Sequence, residues 1–446
     1  MSGILISNAL IVTMNDNMDV LEGFVLIENG AIVAIEKELK DIAVSFNLSG
    51  ARVIEAKGSA VIPGLIQTHV HLCQTLFRGL ADDLSLLDWL RKRIWPLEGA
   101  HDYDSLYCSA LMGIGEMFKC GTTAIVDMGT VHHTDAVFQA IADTGIRAIG
   151  GKCMMDSGAG APESLLESTE ETLGRSLDLL NKWHGYSDGR IAYAFTPRFV
   201  LSCTDGLLTR TGEMARKHKV RVHTHASESA AETALVVKDR QTDNITCLDN
   251  LGLTGEDLIL AHCNWLSEQE IGILRDKKIN VAHCPMSNLK LASGIAGIPR
   301  LLSEGVNVSL GSDGAACNNN MDMFMEMRFA SLIQKPAHGP DAILPEQVFA
   351  MATKGGAKTM GLSNRIGSLR PGKRADLAII DLAGLHCGFG AKENIYGKLV
   401  YQIKSSDVSL TMVDGRIVYE NRRLTTIDES LVKQEGLVAF NRICRA

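Results

Sequence analysis

The sequence predicts an α/β chain, a (β/α)8 TIM barrel with a small β-sandwich formed by both termini. Three observations carry that expectation. The middle of the chain alternates short apolar strands with helical stretches, the pattern of a parallel sheet with helices outside it. Both ends read instead as β-hairpins. The 42 glycines against 10 prolines suit many tight strand-to-helix turns rather than disorder. At 446 residues there is length for two or three average domains, yet a single α/β barrel can take up most of it.

Residues 1–59 look all-β. "FVLIENGAIVAI" sets apolar runs on both sides of Asn29-Gly30, a dipeptide suited to a type I′ hairpin because both turn residues take positive φ. Eight candidate strands follow, at 65–71, 123–128, 147–155, 191–198, 220–227, 258–263, 279–284 and 306–313, the number that closes a barrel. Between the first two, "YDSLYCSALMGIGEMFKCG" spaces its apolar residues helically and stops at Gly121. Near the far end "RADLAIIDL" reads as a strand and "VSLTMVDGRIVYEN" as a second hairpin, turning at Asp414-Gly415. The expected division is a composite sandwich of 1–59 and 365–430, a (β/α)8 barrel of 60–364, and a C-terminal extension of 431–446.

Composition narrows the partners. Hydrophobic residues make up 46% and charged residues 22%, with a net charge of −8, so a phosphate-binding basic face is not expected. Eleven cysteines without a CxxC pair read as free, mostly buried thiols of a reducing compartment. The N-terminal stretch has no basic n-region or small-residue cleavage site, and no apolar run is long enough to cross a bilayer. The expectation is a cytoplasmic homo-oligomer that takes a small molecule, with no nucleic-acid and no membrane partner.

The polar residues gather where strands end. His69 and His71 stand at i and i+2, so on a strand they point to one side. The fifth strand carries His223, His225 and Glu228; the sixth ends in His262, the seventh in His283 and the eighth in Asp313. In a parallel barrel these C-terminal strand ends face the active site. Three imidazoles and one carboxylate suit a borderline divalent cation, zinc first and ferrous iron as the alternative. His225 is taken as the third imidazole ligand because it lies nearer the strand end and leads into an H-x-x-E spacing; His223 falls to a supporting place or the barrel wall. His283 competes with His262 and could contact substrate. Cys263 and Cys284 read as core thiols, and His101, His132, His133, His184, His218, His338 and His386 mostly as solvated surface residues.

The order HxH, HxxE, His and Asp resembles the amidohydrolase superfamily, as do "VIPGLIQTHVH" and "IGSLRPGKRADLAIID". Within it the chain is similar to the aminohydrolases that include methylthioadenosine/S-adenosylhomocysteine deaminases, 5′-deoxyadenosine deaminases and triazine hydrolases. "QTLFRGLADDLSLLDWLRKRIWPLE", "HCPMSNLKLASG" and "GSDGAACNNNMDMFMEMR" carry that likeness. The resemblance implies one divalent metal ion at the barrel mouth and places Glu98 on the ribose hydroxyls of a nucleoside. "FTPRFVLSC" departs from the adenosine-type pattern: Arg198 stands where those enzymes often have histidine, and the segment resembles guanine deaminases, whose arginine contacts the purine. The fourth strand has no lysine of the kind that bridges two metals, which favours one ion; Lys152 ends the third strand in a solvated or structural role.

The implied reaction is deamination of an aminopurine or related heterocycle. His69, His71, His225 and Asp313 hold the cation, Asp313 takes the proton of the attacking water, His262 positions that water, and Glu228 protonates the ring nitrogen beside the carbon under attack. Each assignment has a plainer alternative. Glu98 could be a carboxylate at a helix start, Arg198 a salt-bridge residue, Ser287 and Asn288 helix caps, Trp89 a core side chain or a pocket wall, and the Met-rich stretch an apolar helix face. The alternative substrates are guanine, 8-oxoguanine, a pterin or an s-triazine; a catalytically dead scaffold of the same fold is the reading from another class.

Overall fold

A computed structural model describes residues 3–390 and 392–445; positions 1, 2, 391 and 446 of the expected ranges lie outside them. Eight parallel staves follow in chain order: Leu65–His71, Thr122–Met128, Arg147–Gly151, Ile191–Pro197, Arg221–Ala226, Leu258–His262, Asn280–His283 and Asn307–Leu310. Their inward and outward faces are both covered, so they read as runs of Val, Ile, Leu and Ala with little alternation; every residue of Leu65–His71 and Thr122–Met128 is buried. The eighth stave breaks at Gly311-Ser312. Asn307–Leu310 pairs with the seventh stave, while Asp313–Gly314 pairs with the first, setting Asp313 beside Val70 and Gly314 beside His71. That split closes the ring. It needs glycine, since a Cβ on Gly311 would stand 2.6 Å from the carbonyl oxygen of His69.

Both chain ends join one hydrogen-bonded ladder of nine strands, which runs from Arg423–Leu424 through Val408–Val413 and Leu377–Asp381 to Ser59–Pro63, Ile4–Val12 and Ala31–Glu36. The two hairpins turn where expected: Asn29 and Gly30 have φ of 49° and 77°, Asp414 and Gly415 of 55° and 77°. Ser59–Pro63 belongs to this ladder by pairing with both Ile4–Val12 and Leu377–Asp381. The helix Glu429–Ile443 lays Val432, Gly436 and Ala439 inward, with Gly436 near Met112 and Cys108 of the helix Tyr103–Lys119. The latter begins on a capping box between Asp102 and Ser105. Ten of the cysteines are buried and Cys444 is exposed. Among the described residues no helix is long and apolar enough to cross a membrane.

Sheet and barrel are bolted together by a buried charge. Arg147, at the start of the third stave, donates from Nε and Nη2 to the two carboxylate oxygens of Asp376 at 2.7 and 2.9 Å, and from Nη2 to Asp414 at 3.1 Å. Desolvation alone would lower the guanidinium's pKa, but Asp376 and Asp414 hold it above its ordinary value. Lys152 is likewise buried rather than solvated, paired with Glu167 and donating to Thr172. Breaking such a pair strands a desolvated charge. Arg147→Met is therefore expected to destabilise the protein by about 3–5 kcal/mol, read as a lower denaturation midpoint, whereas Arg416→Met, an exposed neighbour, changes it little.

Candidate active site

The first stave carries His69 and His71 to the mouth of the barrel, two residues apart and on one side. Each ring is fixed through its Nδ1. His71 Nδ1–H donates to the carbonyl of Met128 at 2.8 Å, and His225 Nδ1–H to the carbonyl of Arg198 at 2.6 Å. His69 Nδ1 meets His223 Nε2 at 2.8 Å, which gives His223 the supporting place expected of it. With Nδ1 occupied, each Nε2 lone pair is turned inward. There His71 Nε2 and His225 Nε2 lie 3.3 Å apart, and Asp313 Oδ1 lies 3.3 Å from His69 Nε2 and 3.4 Å from His71 Nε2.

Those spacings test whether a cation fits. Donors held about 2.0–2.1 Å from a tetrahedral zinc lie about 3.3–3.4 Å from one another. His69 Nε2 is buried and has no hydrogen-bond partner among the described residues, which is how a ligand nitrogen looks without its ion. Charge agrees. Desolvation pushes His69 down to about 4 and lowers His71 and His225, so these imidazoles are neutral, the form that binds metal. Burial opposes the charge of Asp313, yet the nearby His69, His262 and His71 hold it well below the usual carboxylate range. The residues present fit a divalent cation.

His262 stands beside this cluster. Its Nδ1–H donates to Asn288 Oδ1 at 2.8 Å, and Asn288 Nδ2 donates to Asn264, so the ring is locked with Nε2 inward. That Nε2 lies 3.5 Å from Glu228 Oε2 and 3.9 Å from Asp313 Oδ2. His262 and Asp313 hold left-handed φ of 74° and 62°, a strained backbone for non-glycine residues that aims both side chains inward. Ser287 Oγ–H donates to Asp313 Oδ2 at 2.6 Å and Ser293 Oγ–H to Glu228 Oε1 at 3.2 Å. Burial raises the pKa of Glu228, which favours the acid form.

The pocket above has an apolar wall of Leu86, Trp89, Leu90, Phe199 and Leu291, with Glu228, Glu232, Arg198 and the site histidines at its polar edges. Trp89 both lines it and packs in the core. Glu98 and Arg198 are brought together as a buried ion pair, Nη1 to Oε2 at 2.6 Å. His283 is buried, its ring nitrogens unpartnered among the described residues, and it lies outside the pocket wall; desolvation, with His262 adding, pushes it down to about 3.

Several placements differ from the sequence reading. His101 is buried rather than solvated, bonded to Ser105 Oγ and the Cys73 carbonyl at 2.9 and 2.8 Å. Ser287 and Asn288 hold Asp313 and His262 rather than serving as helix caps. Glu232 was not singled out: four residues past Glu228 on a helix start, it reads as a solvated carboxylate, but it is buried, accepts from Glu228 N–H and Asn244 Nδ2, and burial raises it to about 7. The Met-rich segment does bury Met321, Met323 and Met327.

Known proteins resemble this chain over nearly its whole length. The family model described as the amidohydrolase family matches residues 60–418. A 5′-deoxyadenosine deaminase of Methanosarcina acetivorans is 38% identical over 451 aligned positions, 99% of each chain. A 5-methylthioadenosine/S-adenosylhomocysteine deaminase of Syntrophomonas wolfei is 36% identical over 96% of each. Among solved structures, an adenosine deaminase from Xanthomonas campestris with bound zinc has a TM-score of 0.92 and 31% identity, covering 100% of this chain and 99% of that one.

The Asn288 contact makes a prediction. Asn288→Leu removes the acceptor for a buried N–H and is expected to cost about 1–3 kcal/mol of stability, measured by denaturation; an unchanged midpoint would mean that the ring finds another acceptor.

Proposed function

This chain belongs to the amidohydrolase family, and we propose that it is a metal-dependent hydrolytic deaminase releasing ammonia from an adenosine-type nucleoside: 5′-deoxyadenosine, methylthioadenosine, S-adenosylhomocysteine or adenosine. Relatives bearing the first three names match it over nearly its whole length. The observation that carries the reading is the meeting of a cation-ready donor set with one buried acid, Glu228, across His262. His69, His71, His225 and Asp313 would hold a single ion, zinc by donor type and spacing. When bound, that ion supplies a Lewis acid that brings a water's pKa toward neutrality.

The remaining steps fall to side chains. Asp313, ionised, takes the proton that the attacking water gives up. His262, its Nδ1–H committed to Asn288, presents an Nε2 lone pair that accepts a hydrogen bond from that water and then from the hydroxyl of the tetrahedral carbon. Glu228, whose pKa burial raises, acts as the acid that gives a proton to the ring nitrogen beside that carbon and so makes the carbon electrophilic. The new C–O bond forms, a proton passes to the exocyclic nitrogen, the C–N bond breaks, and ammonia leaves a ring carbonyl behind. Arg198 at the pocket wall favours a second reading with the same chemistry, on guanine, 8-oxoguanine or a pterin, whose oxo group would accept from the guanidinium.

An ammonia-release screen over adenosine, 5′-deoxyadenosine, methylthioadenosine, S-adenosylhomocysteine, guanine and pterin tests the substrate. Turnover of the nucleosides is expected; turnover of guanine or pterin alone would overturn the first reading for the second. Glu228→Gln is expected to keep its bound metal, by elemental analysis, and to lose about 10²–10⁴-fold in kcat. His69→Ala is expected to lose metal and activity together.

A further inference from the structure

A side-chain amide can face its neighbours either way round, and a buried histidine that meets one takes the tautomer that the orientation allows. His262 stands in that position. Its Nε2 is buried with no partner among the described residues, and its Nδ1 lies 2.8 Å from Asn288 Oδ1. Were the Asn288 amide turned over, Nδ2 would donate to Nδ1 and the ring proton would sit on Nε2. The lone pair that the attacking water needs would then be gone.

The orientation of Asn288 is decided further along. Asn288 Nδ2–H donates to Asn264 Oδ1 at 2.8 Å, and Asn264 Nδ2–H donates to the Glu228 carbonyl at 2.7 Å. A peptide carbonyl accepts and never donates. It therefore holds Asn264 with its nitrogen toward Glu228 and its oxygen toward Asn288. That oxygen in turn holds Asn288 with its nitrogen toward Asn264 and its oxygen toward His262, which places the ring proton on Nδ1. Donors and acceptors run one way, from the backbone of the buried acid to a ring whose Nε2 lies 3.5 Å from that acid's own Oε2.

The fold brings Asn264 to this place. His262 and Cys263 take left-handed φ of 74° and 53° in succession. The chain turns there from the end of the sixth stave toward the fifth, and the N–H groups of Asn264 and Trp265 both donate to the Ser227 carbonyl, at 2.9 and 3.1 Å. Glu232 Oε2 accepts from Glu228 N–H at 3.1 Å, so both peptide groups that flank the acid are pinned by side chains. Asn264 itself is not on the pocket lining.

We propose that Asn264 is a positioning residue for the reaction: anchored on the Glu228 carbonyl, it sets the tautomer of His262 through Asn288 and so keeps Nε2 bare for the attacking water. The inference rests on the deaminase reading, in which His262 accepts from that water. Because the contact it protects strengthens on the tetrahedral carbon, its loss appears in kcat rather than KM.

The test uses metal-loaded protein with isotope-labelled histidine, as wild type, Asn264→Leu, Asn264→Asp, Asn288→Leu and the Asn264→Leu/Asn288→Leu double variant; His262→Gln identifies the His262 signals. Nitrogen NMR reads which ring nitrogen carries the proton, and needs no substrate. The wild type is expected to hold the Nδ1–H form. Asn264→Leu is expected to populate the Nε2–H form, to keep its metal by elemental analysis, and to lose about 10–100-fold in kcat, with KM held within about twofold. Asn264→Asp still offers an acceptor to Asn288 Nδ2, so it should keep the Nδ1–H form and recover part of the loss. The double variant should be no slower than Asn288→Leu. An Nδ1–H ring in Asn264→Leu, or an Nε2–H ring in the wild type, would overturn the proposal. So would a changed tautomer with kcat intact, losses that multiply in the double variant, or a lower denaturation midpoint with tautomer and kcat both unmoved, the mark of a purely structural amide. Where the wild type releases ammonia from no substrate while the ring still changes tautomer, the deaminase reading fails and the Asn264 relay stands.

Discussion

Lone pairs from four side chains on three separate parts of the ring converge on one desolvated spot, and the barrel mouth tolerates this only if positive charge sits among them. In a low dielectric, an unshared carboxylate beside inward-facing imidazole nitrogens is a costly cluster. The surrounding fold holds it in that state. Carbonyls of Met128 and Arg198 fix two tautomers, His223 fixes a third ring, and Ser287 and Gly314 N–H steady Asp313. Strained φ at His262 and Asp313 and the tight approach of Gly311 to His69 serve the same end. Such strain is kept where something other than stability needs it.

Much of this was legible beforehand, and the reason is periodicity. A strand's two-residue repeat puts His69 and His71 on one side, and a parallel sheet puts strand ends together, so the donors could be read off spacing. The hairpins at Asn29-Gly30 and Asp414-Gly415 announced themselves because few dipeptides accept two positive φ values in a row. Contacts between distant segments carry no such signal. Nothing near Arg147 says that its carboxylate lies 229 residues away. Nor could the split of the eighth stave be seen, although the two terminal hairpins did point to one β-structure shared by both chain ends. Asn288 and Glu232 look like an ordinary cap and a solvated carboxylate until the seventh stave and the pocket are folded around them.

The pocket divides its labour in a way that fits this history. One edge carries Glu228, His262 and Asp313; the wall is apolar; Arg198, paired with Glu98, is a separate polar group on the lining. The first edge belongs to strand ends and follows from the fold. The wall comes from the segments after the first, fourth and seventh staves, where a chain can change without disturbing the ring. Chemistry is thus built into the barrel, and selectivity into what is laid over it.

Anomalous diffraction from crystals of the purified protein at the zinc edge tests the central claim most directly. One peak about 2.0–2.2 Å from Nε2 of His69, His71 and His225 and from Asp313 Oδ1 is the predicted result. Two peaks in the mouth, or a strong peak bound elsewhere with these four donors bare, would contradict it.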